Sequence, residues 1–212
     1  MSEIVKVENV TKYFKQEKVL DDVNMNLETG HIYGIVGKNG AGKTVLFKII
    51  AGFIKPSSGK VTVAGKIIGV DRDFPDSLGL IIETPGFLSQ YNAYQNLLYL
   101  ANINNKISKE DIKESIRMVG LDPDGNKKVG KFSLGMRQRL GIAQAIMENP
   151  NLIILDEPMN GLDKKGIEDV KELLLKLKGD GKTILMASHY AEDMEICDEV
   201  FQMEDGKLGD MK

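Results

Sequence analysis

One cysteine, Cys197, stands in 212 residues, which excludes an internal disulfide and fits a reducing compartment rather than a stapled secreted fold. Long apolar runs are missing as well. The longest, such as residues 32–36 and 152–155, fall far short of the roughly 20 residues that cross a bilayer as a helix. No Pro/Gly/Ser-rich linker, low-complexity tract or internal repeat divides the chain, so one large domain with at most an inserted subdomain is expected. The opening residues, Met-Ser-Glu-Ile-Val-Lys, lack the basic start, apolar middle and cleavage site of a secretory signal. A dominant charge is also absent: 28 basic side chains meet 31 acidic ones, net −3 and interspersed. That balance supplies no electrostatic footprint for nucleic acid or an anionic membrane surface. What is present, 42% hydrophobic and 28% charged residues, is the balance of a globular protein with a substantial core.

Periodicity gives the organisation. Val5 and Val7, then Val23, Met25 and Leu27, alternate with polar residues, which predicts half-exposed antiparallel strands in the first 30 positions. Residues 32–36 are almost continuously apolar and run straight into a glycine-rich turn, so a buried strand is expected to feed a helix over 44–51 that stops at Gly52. Further strands are predicted at 61–63 and 78–82. The middle third turns helical, over 90–101, 109–119 and, after a cap at Ser133, to Asn149-Pro150. Beyond it come a strand at 152–155, a helix at 167–177, a strand at 183–187, a helix at 190–197 and two strands, at 200–203 and around Leu208, joined at Asp205-Gly206. The fold class is α/β with a mostly parallel core sheet and an N-terminal antiparallel β subdomain. Residues 84–150 form an inserted helical subdomain between catalytic segments 1–83 and 151–212.

The chemistry starts at Gly37-Lys38-Asn39-Gly40-Ala41-Gly42-Lys43-Thr44, which fits G-x-x-x-x-G-K-[ST] in the required strand-to-helix context. Backbone N–H groups wrap a polyphosphate only where side chains do not intrude, which suits Gly37, Gly40 and Gly42 to their places; the helix N-terminus adds a positive dipole. Lys43 brings a point charge to the β and γ phosphates, and the Thr44 hydroxyl is a magnesium ligand. The bland alternative is an unliganded glycine turn, but the four fixed positions recur by chance in only roughly 1 in 100 chains of this length. The apolar run 152–155 then ends in Asp156-Glu157, two carboxylates at the end of a strand. Asp156 is placed to hold magnesium and Glu157 to accept a proton from, or orient, an attacking water. Taken alone, the pair has a lesser structural alternative, capping a helix before Pro158.

At 23 residues before Asp156 stands Ser133, in Phe132-Ser-Leu-Gly-Met-Arg-Gln-Arg. With these motifs in this order, the chain resembles, over essentially its whole length, an ATP-binding subunit of an ATP-binding-cassette (ABC) transporter, a P-loop NTPase. The resemblance implies that Ser133 and Gly135 reach across a homodimer to the γ phosphate of the ATP held by the other copy. Leu134 and Met136 depart from the common Leu-Ser-Gly-Gly-Gln, replacing a glycine and a glutamine, and a bulkier residue at 134 bears on how closely two subunits approach. Asn160-Gly-Leu-Asp163 resembles the segment linking the two active sites, with Asp163 the matching residue. His189 matches the histidine that senses the γ phosphate, although a lone histidine at a strand end is commonly a structural hydrogen-bonder. Phe14, six residues before Leu20, matches the aromatic that stacks on adenine, with Tyr13 its competitor and a core role open to either. Glu83, in Leu80-Ile-Ile-Glu83-Thr-Pro-Gly-Phe87, stands where the family has a glutamine that contacts magnesium or the attacking water.

The form of that last segment resembles the branch that exports bacitracin and lantibiotic-type peptides. The resemblance therefore implies an ATPase using ATP and magnesium, and dimerising around two ATP molecules. It would drive a separate integral-membrane permease from the cytoplasmic face of the membrane, with no nucleic-acid partner. Phe87, Tyr91 and Tyr94, near Glu83, are candidates for the permease-docking groove and equally for the core. Two other readings remain: a non-transport cassette ATPase of signalling, resistance sensing or cell division, and a nucleotide-binding module that scarcely hydrolyses.

Overall fold

The computed structural model describes residues 2–83 and 85–210; Met1 of the opening segment and Thr84 of the Glu83 segment lie outside them. Strands β1 (Glu3–Phe14) and β2 (Glu17–Glu28) pair antiparallel, and β4 (Ser58–Val63) and β5 (Lys66–Ile67) complete a sheet of order β2-β1-β4-β5. The alternation is the one the sequence carries: Val23, Met25 and Leu27 are buried while Asn24 and Asn26 face out. The second sheet contains β3 (Ile32–Val36), β6 (Leu78–Ile81), β7 (Leu152–Asp156), β8 (Thr183–Ser188), β9 (Glu199–Glu204) and β10 (Lys207–Asp210), in the order β10-β9-β3-β8-β7-β6. Every pair is parallel except β9 with β10.

Successive residues of a strand face opposite ways, and the central strands separate two cores. Leu152 and Ile154 join the cluster between the two sheets, which encloses helix α1 (Lys43–Ile50); Ile153 and Leu155 join the cluster under the other helices. Both faces being covered explains why 152–155 shows no polar alternation. In α1, Leu46, Phe47, Ile49 and Ile50 are all buried, each contributing roughly 1.5–3 kcal/mol of hydrophobic stabilisation. The chain leaves α1 through Gly52 at φ +86°, where a Cβ would collide with the Asp73 carbonyl.

Helices α2 (Ala93–Asn104), α3 (Lys109–Met118) and α4 (Leu134–Ile146) lie between β6 and β7 in the chain; α5 (Lys164–Gly179) follows β7. Reciprocal capping boxes start two of them, Asn92 with Gln95 and Ser108 with Asp111, which moves the start of α2 from the expected residue 90 to Ala93. The helix expected over 190–197 is a 3₁₀ segment, Ala191–Ile196. Its buried Asp193 accepts a 2.5 Å hydrogen bond from the Ser188 hydroxyl, which ties the turn back to the end of β8.

Cys197 follows that segment, with Sγ 3.7 Å from Met194 Sδ and packed under Gly34. Burial pushes its thiol up to about 12. Thiolate is the alkylating species, so iodoacetamide at pH 8 should modify native Cys197 at least about 100-fold more slowly than the unfolded chain. Mass spectrometry over a time course checks this; equal rates would mean that the Met194 cover opens readily.

Candidate active site

β3 delivers the chain into the loop 37–42, and α1 starts at Lys43, so the first amides of the helix face the loop without partners in their own turn. The glycines serve different ends. A Cβ on Gly37 would press on the Met203 carbonyl, and one on Gly42 would stand 2.8 Å from a Leu20 methyl and 3.0 Å from the Val19 carbonyl oxygen. Gly40, at φ +83°, meets nothing within 4 Å and stays open on the side a ligand would occupy. Lys38, Asn39, Gly40 and Ala41 line a cleft with His189.

Lys43 is 5% exposed, and its ammonium donates to the Gly37 carbonyl at 2.5 Å and the Lys38 carbonyl at 3.3 Å, with Glu157 Oε1 at 3.6 Å. One residue on, the Thr44 hydroxyl donates to Asp156 Oδ2 at 2.6 Å. Burial, first of all, holds the Asp156 carboxyl above its ordinary value, opposed by that hydroxyl bond and by Lys43. A desolvated carboxylate beside a hydroxyl is a hard oxygen pair suited to a small divalent cation. Among the described residues no group of three or more His, Cys, Asp or Glu side chains is arranged to hold a metal ion.

Glu157 sits just past β7 at φ +53°, its N–H donating to Ala187 and its carbonyl accepting from the Gln138 side-chain amide at 3.1 Å. Its Oε2 lies 2.8 Å from His189 Nδ1. An ionised carboxylate only accepts, so Nδ1 carries the proton. Ser188 pairs with Val36 across the sheet, and its carbonyl accepts the Gly37 N–H at 3.3 Å, which fixes His189 beside the phosphate loop.

Glu83 follows β6 at φ +61° and shares a small cleft with Asp156, Glu157 and Gln138. Its carboxylate is bound by Lys48, one turn along α1 from Thr44, at 2.6 Å. The extra negative charge expected at this position is therefore partly neutralised within the chain.

Ser133 and Gly135 stand apart from the cleft formed by the phosphate loop and His189. Ser133 is the N-cap of α4, its Oγ accepting the Met136 N–H at 3.2 Å, and it is exposed. Asp163 caps α5 by accepting the Gly166 N–H at 2.8 Å. Tyr13 and Phe14 are each 43% exposed at the end of the β1–β2 hairpin, so neither belongs to the core. Phe87 and Tyr94 do pack on the helical core, and Tyr91 lies against Tyr99. An exposed apolar groove of about 400 Å³ lies between the segment after α1, β6 and the C-terminal ends of α2 and α4, lined by Phe53, Phe74, Leu80, Leu100 and Ile103. A larger concavity at the opposite end of the sheet, beside Lys66, Arg72 and Thr183, carries none of the motif residues. Sequence reasoning missed Lys48, Gln138 and this groove.

The family model described as "ABC transporter" matches residues 20–160. An uncharacterised ABC transporter ATP-binding protein, YybJ of Bacillus subtilis, is 45% identical over 206 residues, spanning 97% of this chain and 94% of the relative. The bacitracin transport ATP-binding protein BcrA of Bacillus licheniformis is 42% identical over 98% of this chain and 69% of its own length. The lantibiotic transport ATP-binding protein SrtF of Streptococcus pyogenes is 35% identical over 97% and 89%. Among solved structures, the dimeric post-hydrolysis state of the cassette MJ0796 with ADP and phosphate superposes with a TM-score of 0.88. It is 26% identical over 99% of both chains. With identity running the length of the chain and the motifs brought together by the fold, the chain belongs to the ABC transporter family, as an ATP-binding and ATP-hydrolysing subunit.

Proposed function

We propose that two copies of this chain close around two ATP molecules and drive an integral-membrane permease that exports a peptide antibiotic or similar amphipathic cargo. The observation that carries the dimer is the division of phosphate-binding groups. Short contacts link Lys43, Thr44, Asp156, Glu157 and His189 beside the phosphate loop, whereas Ser133 and Gly135, at the start of α4, do not line the loop's cleft. A two-fold dimer brings each set to the other copy's set, and the dimeric cassette with a TM-score of 0.88 supports that arrangement.

In this reading the loop amides, Lys43 and Thr44 hold the phosphates, Phe14 stacks on adenine, and Thr44 and Asp156 hold magnesium, with Glu83 reaching it from the facing loop. Bound magnesium neutralises charge on the β and γ phosphates. Glu157 takes a proton from water as its oxygen bonds to the γ phosphorus and the bond to the bridging oxygen breaks, releasing ADP and phosphate. His189 fixes the Glu157 carboxylate and offers its ring to the γ phosphate. Asp163, at the start of α5, carries the state of one site toward the other. Segments 1–83 and 151–212 form the catalytic lobe, and 84–150 the helical one.

Among the described residues no helix is long and apolar enough to cross a membrane. As a subunit that hydrolyses ATP for a permease, the chain belongs in this reading on the cytoplasmic face, held by that permease. The groove of Phe53, Phe74 and Ile103, which are 57%, 54% and 77% exposed, is the docking surface for an apolar helix of that permease. The names of BcrA and SrtF support the cargo class. In membrane vesicles carrying this chain and its permease, ATP should drive bacitracin transport. Phe53→Asp should reduce permease association and transport at least about tenfold while ATP binding by the isolated subunit stays within about twofold. Undiminished association of that variant would place the docking surface elsewhere.

A further inference from the structure

Leu134 is 57% exposed, yet its side chain is not free. It covers Gly161, in the segment after Glu157. A Cβ built on Gly161 would stand 2.5 Å from Leu134 Cγ, closer still to one of its methyls, and 3.3 Å from its Cβ. Real Cβ atoms do not approach so closely, so a side chain at 161 would displace Leu134 from this seat, and the φ of +75° at Gly161 also favours glycine there. The neighbouring residues fit the other way. A Cβ on Gly135 would lie 3.0 Å from the Gly161 carbonyl oxygen and 3.4 Å from a Leu162 methyl. One turn further along α4, Gln138 donates to the Glu157 carbonyl at 3.1 Å, and the Asn160 N–H donates to that same carbonyl at 3.1 Å. The first turn of α4 and the segment 157–162 thus share an apolar contact and a hydrogen-bonded one.

We propose that Leu134 is a positioning residue, seated on Gly161 so that the start of α4, with Ser133 and Gly135, is locked to the segment that carries Glu157 in the same copy. The inference rests on the reading that Ser133 and Gly135 serve the partner's ATP. On that reading, the contact holds one copy's grip on its neighbour's γ phosphate in register with its own Glu157. The leucine at 134 is then one half of a fitted pair whose other half is the side chain missing at 161.

The test is a double-mutant cycle in a Glu157→Gln background, with ATP-driven dimerisation followed by sedimentation. Gly161→Ala should weaken the dimer at least about tenfold, because Leu134 must leave its seat. Leu134→Ala alone should weaken it to a similar extent, and adding it to Gly161→Ala should cost little more, because the contact is already lost. The strain of alanine at φ +75° is present in both backgrounds and cancels in the cycle. Strictly additive effects would overturn the lock. Should Gly161→Ala fail to fold, Leu134→Ala alone remains decisive. Amide exchange at 160–162 should speed up at least about tenfold in its monomer, and unchanged exchange refutes the proposal. Ser133→Ala separates the two readings. Full dimerisation by that variant would refute the partner-ATP assignment on which the proposal rests, whereas additivity alongside an impaired Ser133→Ala refutes the lock alone.

Discussion

Glu157→Gln should bind ATP as tightly as the parent, hydrolyse it at least about 100-fold more slowly and accumulate as a dimer in ATP. The size follows from what the substitution changes and what it leaves. General-base assistance is worth roughly 10²–10⁴ in rate, and an amide cannot supply it. The backbone at 157 is pinned by the Ala187 carbonyl on one side and the Gln138 amide on the other, so glutamine inherits the position. His189 Nδ1, now 2.8 Å from Oε2, finds a carbonyl-type acceptor in the amide as well. In the proposed site binding rests on the loop amides, Lys43 and Thr44, none of which is altered, and one negative charge 3.6 Å from Lys43 is removed. Single-turnover hydrolysis with labelled ATP, beside sedimentation with and without nucleotide, reads both halves. Hydrolysis at the parental rate would remove Glu157 from the role of base.

The parts of this site that the sequence displays are those whose geometry is local. β3, the loop 37–42 and α1 are consecutive, and their strand, glycine and helix signals define a phosphate cradle before any tertiary contact is known. Asp156 and Glu157 show for a similar reason, because an apolar run that ends abruptly in two carboxylates marks the edge of a buried strand. The contacts that were hidden join segments far apart. Lys48 meets Glu83, Gln138 meets Glu157 and Leu134 meets Gly161, and neither member of any pair belongs to a periodic pattern that points to the other. Leu134 stood out only as a departure bearing on the approach of two subunits; its partner within the chain is a glycine, which has no side chain to notice. Phe87 and Tyr94 lie near Glu83 in sequence but pack on the helical core, whereas Phe53, Phe74 and Ile103 come from three separate segments and meet only in the fold. Over 190–197 the alternation of strand and helix suggested a helix, but the chain forms a 3₁₀ segment tied back to β8 by the bond from Ser188 to buried Asp193.

Mixing two inactive variants should restore hydrolysis, and this is the sharpest consequence of placing Lys43 and Ser133 in different half-sites. Lys43→Ala removes the buried ammonium that faces the phosphates, and Ser133→Arg fills the start of α4 with a long cationic side chain. Each homodimer then has two defective sites, and each should fall at least about 100-fold in steady-state phosphate release, in the range of losing a preorganised charge-stabilising group. In a mixed dimer the two defects fall together in one composite site, while the other combines the intact phosphate loop of the Ser133→Arg copy with the intact Ser133 of the Lys43→Ala copy. Random pairing makes half the dimers mixed, with one of two sites whole, so activity should return to roughly a quarter of wild type. If each copy instead completed its own site, every site in the mixture would carry a defect and no recovery could occur. Adding the partners at increasing total concentration distinguishes slow exchange from absence of a shared site, since recovery through a shared site must rise with dimerisation. A mixture that stays at the level of its components when fully dimeric would leave Ser133 as a helix cap and nothing more.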